Sequence, residues 1–585
     1  MLQLEQLHYT PSEPSYNLKS FVSTGTNALG TSTMISTLQV SHREEEEHTL
    51  LEQTTWVDLL SNTTNISYDI DERKIDVLQN FTPGISLQQV QQKFNLNSEQ
   101  FAALILISVQ IQNPELLPVR LFITGEAGTG KSQVIHAIIY YFTLAKMQNK
   151  LLCTASTGTA AAKIGGSTIH SALKLRTKSL SKTSPSYRDL LCNLSTVKFL
   201  IIDEVSMISA GTLWRIHERL QMIYTNEEPF GGVNMLFFGD FNQFPPVLGK
   251  PLYCTVHDVE IQSNSKGEEA LGTVLWTQLT DVVILKENYR QQTDSRWLGI
   301  LRHLLEGSLI AEDIKVLKSR LLSKHTPSEL LPVVVNRNLL RTKLNSMIIS
   351  KLQQNRNPSN FLMIPAKDSC NTRDITHPDL SERLKQMQDN DTESLPGYLH
   401  TFSNAKYLIT ANINTSLGLA NGTPCELYSL PNTTTDNYLL VKVYRDLPIQ
   451  FDGLPNSVVP IYRSTKCFTV KEGSKTVQIT RNQFPLIPAY SITDYKSQGA
   501  TMKNCIVDLR KPPGTCKHFH SLYVMLSRVA TLNGLYVLCE FTDDDLQVQP
   551  PPNLKKEIAR LESLHNLTIT KAKQNRLYQQ FCTNI

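Results

Sequence analysis

Residues 125–132 read Gly125-Glu126-Ala127-Gly128-Thr129-Gly130-Lys131-Ser132, between an apolar run, Leu121 to Ile123, and a helical pattern that starts near Gln133. This setting constrains the fold. A glycine-rich turn that leaves a buried strand and opens directly into a helix is the connection used by parallel α/β sheets. The same setting gives the loop a chemistry. Its glycines let backbone N–H groups turn inward on a polyphosphate, Lys131 can neutralise charge on the outer phosphates, and the Ser132 hydroxyl can ligate Mg²⁺ at the helix N-terminus.

From about residue 95, strand-length apolar runs alternate with longer helical patterns. The runs are Leu121 to Ile123, Leu151 to Thr154, Phe199 to Ile202, Val233 to Phe238, Val282 to Leu285 and Pro332 to Val335. The alternation predicts parallel sheets flanked by helices. It lapses between roughly 346 and 480, where Gly, Pro, Asn and Thr are frequent and Tyr438 to Tyr444 and Thr476 to Ile479 read as antiparallel strands. It resumes at Cys505 to Leu509 and Leu535 to Leu538, so the middle segment reads as an insertion in a second sheet domain. The expected divisions are a partly disordered extension over 1–94, a first α/β domain over 95–275, a second over 276–345 and 481–545, the insertion over 346–480, and a helical tail over 546–585. In the tail, Leu554, Ile558, Leu561 and Leu564 mark one stripe of a short amphipathic helix.

Composition excludes some classes. No run approaches the length of a membrane span, and the N-terminus lacks the charged-then-apolar layout of a secretion signal. The ten cysteines are scattered without a Cys-x-x-Cys pair, which points to a reduced compartment and no zinc site. Formal net charge is only +4, so any nucleic-acid contact has to come from a local groove.

Two further segments carry chemistry. Phe199-Leu-Ile-Ile-Asp203-Glu204 is an apolar strand ending in adjacent carboxylates, delivered to the sheet edge where phosphate loops also sit. Asp203 can hold the Mg²⁺ shell and Glu204 can polarise an attacking water. Phe238-Gly239-Asp240-Phe241-Asn242-Gln243-Phe244-Pro245-Pro246 follows another apolar strand, with Gln243 placed to feel a γ-phosphate and the aromatic and prolines to carry that signal onward.

Through these and further segments, the chain resembles the Pif-type (petite integration frequency) DNA helicases of superfamily 1B. In the first half the resemblance rests on Leu96-Asn-Ser-Glu99-Gln100, the phosphate loop, Thr154-Ala-Ser-Thr157-Gly158-Thr-Ala160-Ala161, Ser167-Thr168-Ile-His170-Ser171, Asp203-Glu204 and Gly239 to Pro246. In the second half it rests on Glu287-Asn-Tyr-Arg290-Gln291, Leu417-Gly418-Leu419-Ala-Asn421-Gly422-Thr423, Gln483-Phe484-Pro485 to Tyr490, Thr493-Asp-Tyr-Lys496-Ser497-Gln498-Gly499 and Tyr523-Val-Met-Leu-Ser527-Arg528. These segments occur in the family's order and cover about residues 96 to 540.

The resemblance implies two RecA-like P-loop domains with ATP at their interface, a small β-barrel inserted in the second, and single-stranded DNA running across both. It implies an ATP-dependent DNA helicase moving 5′ to 3′ on single-stranded and forked DNA, with ATP and Mg²⁺, in repair, recombination or telomere maintenance. Gln100 would contact adenine, and Gln243, Arg290 and Arg528 the transferring phosphoryl group, the arginines as fingers from the second domain. Thr157, Thr168, His170, Phe244, Thr493, Lys496 and Ser497 fall in motifs that line the DNA channel in similar proteins; His170 equally fits a hydrogen-bonded core histidine. Tyr495 stands where the family often has His. The helicase portion of a Helitron-type transposon protein, an RNA-directed superfamily 1 motor and a nucleotide-gated scaffold remain alternatives. The N-terminus lacks an Arg-rich amphipathic presequence, so the nucleus is the expected location, with the mitochondrion left open.

Overall fold

A computed structural model of the chain describes residues 87–579 apart from 177–179, 255–263, 355–360, 371–372, 376–377, 416, 432, 435, 473–474, 515–516 and 577. The expected disordered extension lies outside the described residues up to residue 86. Its last eight residues, Leu87–Phe94, form a helix whose Leu87 and Val90 are buried in the first domain's core, so that domain begins earlier than the expected residue 95. Among the described residues, those within 87–468 and 478–579 form one compact unit, and those within 469–477 fall in a second.

Strands β1 (Arg120–Gly125), β2 (Leu151–Ala155), β3 (Ser167–Thr168), β4 (Phe199–Asp203), β5 (Asn234–Gly239) and β6 (Asp281–Leu285) form a sheet in the order β3-β2-β4-β5-β1-β6, parallel throughout. Leu121, Phe122 and Ile123 of β1 have no exposed surface, and each such burial stabilises by roughly 2 kcal/mol. Register brings the functional ends together. Thr124 lies opposite Gly239 and Ala155 opposite Asp203, so the phosphate loop, the acidic pair and the loop after β5 leave the sheet at one edge. The helix Ser98–Gln112 is apolar all round and buried continuously from Gln100 to Gln110, as a core helix must be. Because β6 pairs with β1, the boundary expected at 275/276 moves beyond Leu285.

The second parallel sheet has the order β19-β7-β20-β21, with β7 at Val333–Val335, β19 at Ser491–Thr493, β20 at Cys505–Val507 and β21 at Leu535–Val537. Between β7 and β19 the pairing is antiparallel. β8 (Phe361–Pro365) pairs with β11 (Tyr398–Phe402). β9 (Lys367–Cys370), β10 (Arg373–Asp374), β16 (Ser464–Glu472) and β17 (Lys475–Gln483) make a second group. β12 (Lys406–Ile409), β13 (Pro424–Leu427), β14 (Tyr438–Val443), β15 (Val458–Tyr462) and β18 (Leu486–Pro488) make a five-stranded sheet in the order β15-β14-β13-β12-β18. The helix Asn338–Gln354 crosses the expected start of the insertion at 346, and β17 and β18 carry the antiparallel region past its expected end at 480. Within it the buried Arg481 guanidinium grips the Asp368 carboxylate with two bonds, 2.7 and 2.8 Å, and donates to Leu384 O and Leu395 O, leaving no charge uncompensated.

The tail expected as a short helix is the 22-residue helix Pro552–Lys573, and it packs on the first domain. Leu554, Leu561 and Leu564 join the core built on β4, β5 and the helix Ala210–Tyr224, with Ile558 partly buried beside them. Among the described residues no helix is long and apolar enough to cross a membrane.

Candidate nucleotide and strand site

The phosphate loop folds as its glycines require. Gly125, Gly128 and Gly130 have φ of +154°, +97° and +86°, and a Cβ on Gly128 would stand 2.6 Å from the Arg290 Cβ. Gly130 caps the helix Lys131–Leu144, so the helix N-terminus and its positive dipole face the cavity above the loop. Lys131 Nζ donates to Gly125 O at 2.6 Å and Glu126 O at 2.9 Å, and burial lowers its pKa against the pull of Asp240, Glu204 and Asp203. Thr129 is buried, its hydroxyl donating to Glu126 O. Gln100 lies behind the loop. It accepts from Asn97 N–H in a capping box and donates to Thr129 O at 3.3 Å, so it supports the loop, and both ends of its amide are engaged.

Lys131, Ser132, Asp203, Glu204, Gln243, Arg290 and Arg528 line one cavity of about 920 Å³. Asp203 is pushed up to about 7, by burial first and by the adjacent Glu204 second. Glu204 sits at φ +52°, a strained bend for a residue with a side chain, and its N–H donates to Asp203 Oδ1 at 2.9 Å. Gln243 is buried with its Nε2 3.4 Å from Asp240 Oδ2, while its Oε1 has no hydrogen-bond partner. A buried amide oxygen in a cavity wall with nothing bonded to it is an acceptor that a ligand or water can satisfy. Among the described residues no group of three His, Cys, Asp or Glu side chains is placed to hold a metal.

Both arginines come from beyond β6. Arg290 Nη1 donates to Ser527 O at 2.8 Å. Arg528 is 1% exposed and anchored through Nε to Val524 O, Nη1 to Ser497 O and Ala500 O, and Nη2 to Ser527 Oγ. Burial brings its pKa down to about 10, which leaves it charged at neutral pH.

Of the residues expected to face a strand, Thr157, Thr168, His170 and Lys496 line the same cavity. Burial lowers the Lys496 pKa to about 8 and holds His170 below its usual value. Phe244, Thr493 and Ser497 do not line it. Phe244 is 1% exposed and stacks on Tyr495 with ring centroids 3.8 Å apart, so the open aromatic face expected for a base is occupied by tyrosine. Thr493 caps the helix Asp494–Ser497, and the Ser497 hydroxyl is buried and donates to Asp494 O. Their side chains shape the turn that presents Lys496.

Several residues of the site were not singled out from the sequence. Arg176, Asn412 and Tyr289 line the cavity, and no motif spacing marks the first two. Tyr523 Oη accepts from Ala127 N–H at 2.9 Å and donates to Asp240 Oδ2 at 3.0 Å, tying the phosphate loop to the loop after β5. His520 Nδ1 lies 2.9 Å from Asn242 O and Lys517 Nζ donates to Pro246 O, so the helix His518–Leu526 and its cap hold that loop along its length. Gln498 donates to Glu204 Oε2 and Lys163 to Gly499 O. Tyr523, Gln498 and Gly499 lie inside segments already recognised as motifs, which is the signal that could have found them.

Residues 95–298 match the family described as PIF1-like helicase. The ATP-dependent DNA helicase PIF1 of Candida albicans is 27% identical over 483 residues, 72% of this chain and 52% of that protein. The ATP-dependent DNA helicase Pif1 of Psychrobacter sp. is 27% identical over 485 residues, 74% of this chain and 67% of its own length. This chain therefore spans about half of the Candida relative. A crystal structure of Bacteroides Pif1 bound to ssDNA shares the fold, with a TM-score of 0.56 at 21% identity over 82% of this chain and 98% of that one.

Proposed function

We propose that this chain, whose residues 95–298 match the PIF1-like helicase family, is an ATP-dependent DNA helicase that moves 5′ to 3′ on single-stranded DNA. The observation that carries this reading is the single cavity on which Lys131, the carboxylates Asp203 and Glu204, and the distant arginines Arg290 and Arg528 converge. A transition state with charge spread over the γ-phosphoryl oxygens needs cations on both sides, and Lys131 with the two arginines would supply them.

In the proposed reaction the amides at the start of the helix Lys131–Leu144 and the Lys131 ammonium hold the phosphates. A water oxygen forms its bond to the γ-phosphorus as the bond to the β,γ-bridging oxygen breaks. The water's proton passes to Glu204, and the electron pair leaves with ADP. The Ser132 hydroxyl and Asp203 carboxylate are hard oxygen donors on one cavity, the set that suits Mg²⁺, and a buried carboxyl held near 7 gains most from a cation beside it. Mg²⁺ bound there would neutralise charge on the phosphates. The Gln243 amide oxygen is free to accept from an attacking water while its Nε2 can donate to the γ-phosphate, and the loop that carries it is stacked through Phe244 on Tyr495, next to Lys496. Loss of the γ-phosphate then alters the grip on a strand lying along Thr157, Thr168, His170 and Lys496. Single strands and forked duplexes of nuclear DNA, in repair, recombination or telomere maintenance, are the proposed setting.

The test is unwinding of forked duplexes carrying either a 5′ or a 3′ tail, with and without ATP. Unwinding that needs ATP and the 5′ tail is expected. Glu204→Gln is expected to lower strand-stimulated turnover by at least about 100-fold. ATP-independent strand separation, or near-normal turnover in that variant, would overturn the assignment.

A further inference from the structure

The carboxylate assigned to the attacking water is held by a residue from the other side of the cleft. Gln498 Nε2 donates to Glu204 Oε2 at 3.0 Å. Next to it, a Cβ on Gly499 would stand 3.3 Å from both Glu204 Oε1 and Lys163 Nζ, and Gly499 has a φ of +72°. A glycine adopts that conformation without strain, and a side chain here would press on the carboxylate and the ammonium. Lys163 Nζ closes the arrangement by donating to Gly499 O. Two bonds thus cross between the first sheet's loops and the turn that follows the helix Asp494–Ser497, the helix that presents Tyr495 and Lys496.

An amide N–H on one carboxylate oxygen fixes the group's orientation, and a base has to turn one of its lone pairs toward water to accept a proton. The Gln498 amide is itself only half satisfied, since its Oε1 is buried without a partner. An unpaired buried carbonyl opposes the arrangement and makes it easy to break. A strand binding at Lys496 acts on the segment that carries Gln498.

We propose that Gln498 is a positioning residue that restrains Glu204 in the absence of a strand, and that strand binding releases it, so that hydrolysis is suppressed until DNA is engaged. The proposal rests on the motor reading above and adds to it a means of coupling, with Lys163 setting the height of the Gly499 turn.

The experiment measures ATP turnover by the full chain with and without a saturating oligothymidine strand. Gln498→Ala is expected to raise strand-free kcat by about tenfold while strand-saturated kcat and the KM for ATP stay within about twofold, so the stimulation ratio falls. Lys163→Met is expected to act in the same direction and serves as the second variant if Gln498→Ala does not fold by thermal melting. A merely structural role would lower both rates together. Unchanged or lowered strand-free kcat in the variants, with wild-type stimulation intact, overturns the restraint alone. Absence of strand stimulation in the wild-type chain overturns the motor reading and the restraint with it.

Discussion

A charge that is to act on a phosphate has to be held still, and Arg528 is held by backbone and hydroxyl oxygens on three sides of its guanidinium. That anchoring changes what a substitution there will report. Arg528→Ala removes a cation from the cavity and also takes a donor from the carbonyls of Val524, Ser497 and Ala500. The expected outcome is a loss of stability on the order of 2 to 3 kcal/mol in urea denaturation, together with a fall in turnover and ATP affinity preserved within a small factor. Stability unchanged in that variant would mean that the anchoring bonds contribute nothing net. Residue identity was legible in the sequence here, because phosphoryl-transfer motifs prescribe residue types. Side-chain direction was not. Phe244, Thr493 and Ser497 have the chemistry expected of strand contacts, yet stacking on Tyr495, helix capping and an inward hydroxyl claim them.

At the scale of elements, β6 is the edge strand of the first sheet, and an uncovered edge invites pairing with another chain. The C-terminal helix Pro552–Lys573 covers it with side chains: Thr568 Oγ1 accepts from Val282 N–H at 3.0 Å and His565 Nδ1 from Ile284 N–H at 3.1 Å. Glu557 Oε1 adds a bond from Trp276 Nε1 at 2.7 Å. Accepting through Nδ1 requires the neutral imidazole, and burial, with Lys286 nearby, lowers the His565 pKa while Glu99 opposes. The folded value lies below the unfolded one, so below about pH 6.5 the unfolded state binds more protons and the contribution is lost as pH falls through that value. His565→Ala is expected to cost about 1 kcal/mol at pH 8 and progressively less toward pH 5, read from denaturation midpoints. A gap between wild type and variant that stays constant with pH would exclude this role. The apolar stripe of this helix was visible in its heptad-like spacing, but its partner was not, because Leu554, Leu561 and Leu564 join a core drawn mostly from residues 122 to 282, more than 250 positions earlier.

For the molecule as a whole, a net charge of +4 is too small to draw a polyanion without a local concentration of cations. In the proposed reading the cleft supplies it through Arg176 and Lys496, which line it together with Thr168 and His170. Removing one cation that neutralises a phosphate should reduce the slope of log affinity against log salt by about 0.7 for a single strand, so Arg176→Ala and Lys496→Ala are each expected to flatten it by that amount in fluorescence titrations. An unchanged slope in both would remove these two residues from the strand's path. The local structures and their order were legible in the chain alone. The loop, the acidic strand end and the strand-helix alternation are written in short-range spacing, because backbone conformation and phosphate chemistry act over a few residues. The tertiary structure alone decided which residues from the two halves meet. The bonds from Tyr523 to Ala127, from Gln498 to Glu204 and from Arg290 to Ser527 O join positions more than two hundred residues apart. No local periodicity encodes such meetings; they follow from how the packed sheets and the inserted strands seat the two halves against each other.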